Sequence, residues 1–140
     1  MGFSYVVAVA VLLSSSLIFF GIVYSDFVHT ETQINDAQHN SNSQNYDYMN
    51  SRVIVDNYSY AASGSNFTVT MNVTNTGSVT LNLNHTNLLV NGTMVNFTYE
   101  NQYLFPLGND TIQFTTGAGS HNVEMVFSTG YEKFEKVVIS

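Results

Sequence analysis

Between Phe3 and Tyr24 lie 22 residues without a charge, rich in Val, Ala, Leu, Ile and Phe. As a helix at 1.5 Å per residue the stretch is roughly 33 Å long, against about 30 Å of bilayer hydrocarbon. A helix also satisfies its own backbone hydrogen bonds, which lipid cannot do for it. Ser4 and Ser14 to Ser16 are the only non-aromatic hydroxyls inside, and each can bond back to a carbonyl of its own helix. Ala10 and Ser14 stand at the small-xxx-small spacing of packed membrane helices. A cleaved signal peptide is the competing reading. It calls for a basic n-region and a shorter apolar core, and no Lys or Arg precedes this one. The stretch therefore predicts a retained single-pass anchor. With no Lys or Arg on either flank, charge does not orient it. A short amino terminus inside and the acidic bulk outside is the simplest arrangement.

Beyond the apolar stretch, Phe20, Phe27 and Ile34 fall seven apart, with Val23, Thr30 and Ala37 between them. Such a seam suits either a partner helix or an ordinary amphipathic helix end. The anchor and its extension are assigned to residues 1–37. Residues 38–51, a polar run from Gln38 through Asn40, Ser41 and Asn42 to Tyr46, read as a tether.

From Arg52 the period changes to two, and residues 52–140 read as one domain. Phe67, Val69, Met71 and Val73 alternate with Asn66, Thr68, Thr70 and Asn72, the pattern of a half-buried strand. Asn91-Gly92 between Leu88–Val90 and Thr93–Tyr99 is a strong hairpin signal, and Asn75-Thr76-Gly77 marks another turn. Further strands are expected at 52–55, 79–83, 111–115, 122–127 and 132–139. Short strands punctuated this often predict an all-β, Ig-like antiparallel β-sandwich behind a single transmembrane helix. The expected core is Phe67, Val69, Met71, Val73, Leu89, Ile112, Phe114, Val123, Met125 and Phe127. With no cysteine in the 140 residues, no disulfide can brace it.

Net charge is −7, and Arg52, Lys133 and Lys136 are the only bases. That balance excludes nucleic acid and an anionic membrane surface as partners, since both demand clustered cations. No nucleophile elbow, phosphate loop or pair of supported carboxylates appears, so the chain does not read as an enzyme and no cofactor is implied. His29, His39, His85 and His121 lack metal-ligand spacing. Asp56, Glu100 and Asp110 read as solvated loop acids rather than a calcium site. Seven Asn-x-Ser/Thr sequons begin at Asn57, Asn66, Asn72, Asn84, Asn91, Asn96 and Asn109, against about half as many expected from composition. Surface glycosylation and a β-domain that simply favours Asn and Thr both account for them. Tyr46, Tyr48, Tyr58, Tyr60, Tyr99 and Tyr103 are expected outside the regular core, where aromatic rings serve as contact anchors.

The start Met1-Gly2-Phe3-Ser4 running straight into an uncharged helix resembles the archaellum accessory protein F (flagella-related protein F) family. Two segments carry the resemblance further: Val73-Thr74-Asn75-Thr76-Gly77-Ser78-Val79-Thr80-Leu81, and Leu88-Leu89-Val90-Asn91-Gly92. Phe105-Pro106-Leu107-Gly108 loosely represents a later feature of that family. The helix also looks like that of an archaellin or type IV pilin, but those subunits carry a basic signal before it. The resemblance implies a non-enzymatic cell-membrane protein of the archaellum. Its outer domain would bind surface-layer protein and act as an anchor, or stator, for motility. Archaellum accessory protein G is then an implied companion, and a homodimer through the sandwich is compatible with the layout. The alternative is a pilin-like structural subunit of a cell-surface filament.

Overall fold

A computed structural model describes residues 1–140. The chain divides into two compact units, 1–43 and 44–140. Helix α1 runs Gly2–Asn50 without a break, and none of its residues is buried. It is the one helix long and apolar enough to cross a membrane. The serine hydroxyls bond back as their setting demands, Ser14 Oγ donating to Ala10 O at 2.9 Å and Ser16 Oγ to Leu12 O at 2.8 Å. The polar run expected as a tether is helical as far as Asn50. Its composition disfavours a core, but no Gly or Pro stands between Gly21 and Gly64 to break the backbone. Asn50 Nδ2 caps the run by donating to Tyr46 O at 2.8 Å.

The second unit carries ten strands. They are β1 Val53–Ser63, β2 Asn66–Asn75, β3 Leu81–Asn82, β4 Asn87–Val90, β5 Thr93–Val95, β6 Phe97–Tyr99, β7 Tyr103–Leu104, β8 Asn109–Thr116, β9 Gly119–Val126 and β10 Glu132–Ile139. All pairings are antiparallel. Two four-stranded sheets result, in the orders β1-β2-β8-β6 and β10-β9-β4-β5, with β3-β7 as a small third ladder. Both large sheets feed one core. Val69, Met71, Val73, Ile112 and Phe114 come from the first, and Leu88, Val90, Val123, Met125, Val137 and Ile139 from the second.

Several expectations shift in detail. Leu88, not Leu89, is buried, while Phe67 is half-buried against the core edge. Adjacent leucines carry no parity of their own; the pairing of Leu88 with Val95 and Met125 decides which one turns inward. The expected strand over 93–99 is two strands, β5 and β6, which belong to different sheets and join at Asn96. The expected 79–83 strand shrinks to Leu81–Asn82 and passes into a 3-10 turn, Leu83–His85. The expected 52–55 strand grows to eleven residues.

The added length pairs Asn57–Ser63 with β2, beyond a bulge. Val55 pairs with Val73 and Asn57 with Asn72, so Asp56 is left over and the side-chain phase of β1 flips. Tyr58 and Tyr60 then take the inward phase, opposite Met71 and Val69. Their hydroxyls reach β10 and the residue after it: Tyr58 Oη accepts from Val138 N at 3.3 Å and Tyr60 Oη from Ser140 N at 3.4 Å. Two edge amides that would otherwise be open to another strand are thereby occupied. The Ser140 hydroxyl and amide together hold the Tyr60 phenol below its ordinary range.

Candidate functional site

The two large sheets present very different outer faces. On β1-β2-β8-β6 the outward residues are mostly Asn, Thr, Ser and Gln, as in the cross-strand row Ser59–Thr70–Gln113–Thr98, with Ile54 and Ala61 the apolar exceptions. Five sequons map to this face. Those at Asn57, Asn66, Asn72 and Asn109 lie within strands, and the one at Asn96 has its Thr98 in β6. Period two puts the acceptor amide and the hydroxyl two residues on along the same face. Asn66 and Asn96 are exposed, whereas Asn72 is only partly so. Asn72 Nδ2 donates to Asn57 Oδ1 at 2.7 Å, and Thr111 Oγ1 donates to Asn72 Oδ1 at 3.1 Å. The remaining sequons sit in turns: Asn84 in the 3-10 segment and Asn91 in the β4–β5 hairpin.

The outer face of β10-β9-β4-β5 carries a row of different chemistry. Across β5, β4, β9 and β10 the register lines up Met94, Leu89, Glu124 and Phe134. Met94 is 64 % exposed and Phe134 60 %; they stand on the two edge strands, β5 and β10, with Leu89 and Glu124 between them. Val138 is also exposed on this face. Beside the row lies an open groove of about 510 Å³ lined by Asn91, Gly92, Asn122, Glu124, Phe134, Glu135 and Lys136. The hairpin holds one wall of it. Asn91 and Gly92 both have positive φ (52° and 81°), as the favoured two-residue hairpin turn requires. Asn91 Oδ1 accepts from Asn122 N at 2.9 Å, fixing the turn against β9. No sequence motif marks this face. Its trace is one of phase: Phe134 falls out of step with Val137 and Ile139 on the same strand.

A second exposed apolar feature is the turn Phe105-Pro106-Leu107-Gly108, with Leu107 85 % exposed at φ 62°. It closes through Gly108 N donating to Phe105 O at 2.8 Å. Asn75, fully enclosed, anchors the turn: Leu107 N donates to Asn75 O at 2.7 Å and Asn75 N to Gly108 O at 3.0 Å. The Asn75 side chain also donates to Val79 O and Leu104 O and accepts from Gly77 N.

The titratable residues do not converge. No group of three His, Asp or Glu side chains is placed to hold a metal ion. Asp110 spends its carboxylate on the backbone amides of Glu100, Asn101 and Thr111. Asp56 accepts from Thr74 Oγ1. His121 is shared between Asn91 Nδ2 and Gly117 O, and His85 lies by Asn82. Of the tyrosines, Tyr46, Tyr48, Tyr60 and Tyr103 are exposed, while Tyr58 and Tyr99 pack against the core edge. Comparison with known proteins finds no matching family model and no matching curated protein.

Proposed function

We propose that this protein is a membrane-anchored, extracytoplasmic, non-enzymatic part of the archaellum, binding surface-layer protein so that the machine is held to the cell surface. In this reading Phe3–Tyr24 crosses the membrane once, with residues 52–140 outside as an Ig-like sandwich. The observation that supports it is the set of apolar side chains Met94, Leu89 and Phe134 on the outside of one sheet, in a cross-strand row with Glu124 between Leu89 and Phe134. Exposed aromatic and Met side chains set among polar neighbours are the usual anchors of protein contacts. The Asn/Thr face of the other sheet is then the glycan-bearing side, leaving the apolar face bare for the surface layer. Accessory protein G, and a second copy of the chain, are the other partners this reading allows.

The test is made in cells of the source organism. Replacing Met94 and Phe134 together by Asp should stop swimming while the protein stays in the membrane at its normal level. Normal swimming would overturn the reading.

The uninterrupted helix Gly2–Asn50 favours a second reading, a pilin-like filament subunit, because such subunits polymerise through a long amino-terminal helix. The mass of the mature amino terminus separates the two. A chain beginning at Met1 or Gly2 belongs to the anchor, and a trimmed chain found in filaments belongs to the pilin.

A further inference from the structure

Residues 26–43 continue α1 past the apolar stretch, and every one of them is exposed. Their sequence is rich in Asn, Ser, Thr, Asp and His, all weak helix formers. A helix of this composition standing alone in water is marginal, so packing must supply what propensity does not. One stripe offers that packing. With Phe20, Phe27 and Ile34 as the first position of each heptad, Val23, Thr30 and Ala37 occupy the fourth. Phe27 is 61 % exposed and Ile34 52 %. Thr30 does not spoil the seam, because its Oγ1 donates to Asp26 O at 2.8 Å within its own helix. Its hydroxyl is thus satisfied without a partner, and its methyl is free to pack.

The charges beside the seam say what can cover it. In this register Asp26 and Glu31 are the two flanking positions. In a parallel two-stranded coil a residue at the first of these meets, on the partner, the residue five further along at the second. A second copy would therefore set Asp26 against Glu31 twice over, once in each direction of the two-fold pair. Nor can another copy supply a cation in register, since no Lys or Arg occurs before Arg52.

We infer that residues 20–37 are the docking face for a different membrane-anchored helix. That helix runs parallel to this one and carries an apolar seam flanked by Lys or Arg opposite Asp26 and Glu31. The inference does not depend on the archaellum reading, and it holds for any exported partner of that chemistry.

A basic-flanked copy of the same seam serves as the probe: the full chain with Asp26→Lys and Glu31→Lys. Because the chain has no cysteine, Ser43→Cys gives a single dye site. Wild type and probe are labelled separately and mixed in neutral liposomes at about 0.1 M salt, where charges near the surface still act over roughly 10 Å. Energy transfer should report mixed pairs at least tenfold tighter than wild type with itself or probe with itself. Phe27→Ser in both chains should abolish the mixed pair, and high salt should weaken it. Three results would overturn the inference: wild-type self-association as tight as the mixed pair, no mixed pair at all, or a mixed pair indifferent to Phe27→Ser.

Discussion

A Cβ placed on Gly77 would lie 2.3 Å from the carbonyl oxygen of Asn50, the last residue of α1, and 2.6 Å from Arg52 N. The turn that holds this glycine caps the helix. Ser78 N donates to Asn50 O at 3.0 Å, and Thr76 N and Gly77 N both donate to Arg52 O. Helix ends leave carbonyls without intrahelical donors, and here the Asn75–Ser78 turn supplies one of them. The atoms a side chain would meet are backbone and cannot rotate aside. Gly77→Ala is therefore expected to destabilise the β-domain by about 2–4 kcal/mol, read as a fall in thermal midpoint of the full chain in detergent. Gly117→Ala, where nothing lies within 4 Å and φ is ordinary, should change the midpoint by little.

Asn75 joins that turn to the Phe105–Gly108 turn. Removing its amide in Asn75→Ala takes the side-chain donor from Val79 O and Leu104 O, while Gly77 N keeps its bond to Arg52 O. A loss of roughly 2–4 kcal/mol is expected from the two carbonyls left without that donor, measured by denaturant unfolding. Asn75→Asp should be no better, because a carboxylate cannot donate to the two carbonyls.

Leu107 is a leucine in the left-handed region, at φ 62°. A side chain there costs about 1 kcal/mol that glycine does not incur, and Leu107 buries almost nothing in return. Leu107→Gly is thus expected to raise stability by roughly 0.5–1 kcal/mol, checked by the thermal midpoint.

If the sequons are used, access decides which. Asn66 and Asn96 are exposed, while the Asn72 amide is clasped between Asn57 and Thr111. Glycopeptide mass analysis of the protein from its own host should find sugar on Asn66 and Asn96 and bare Asn72.

The alternation from Asn66 to Thr74 and the Asn91-Gly92 hairpin were legible because each is local: side-chain phase and turn conformation depend on a few neighbouring residues. The strand switch at Asn96 was not. Val95, Phe97 and Tyr99 all pack on the core, so the alternation runs unbroken through the point where the chain changes sheets. The bulge at Asp56 was equally silent. It shows only in the register against β2, yet it decides that Tyr58 and Tyr60 reach β10 and the residue after it. The helical course of 38–50 was hidden by composition, since polarity argues against burial but not against a helix. The apolar row was half legible. Phe134 betrays itself by phase, whereas Leu89 and Met94 become outward-facing only through their pairing with each other.

The central claim is that the β10-β9-β4-β5 face binds the surface layer, and a binding isotherm tests it most directly. Full-length protein in liposomes is titrated with purified surface-layer protein, at neutral pH and at the pH of the organism's surroundings, alongside the Met94→Asp/Phe134→Asp variant. Saturable binding by the wild type, weakened at least tenfold in a variant whose thermal midpoint is unchanged, is the predicted result. No binding at either pH, or equal binding by the two proteins, would contradict the account.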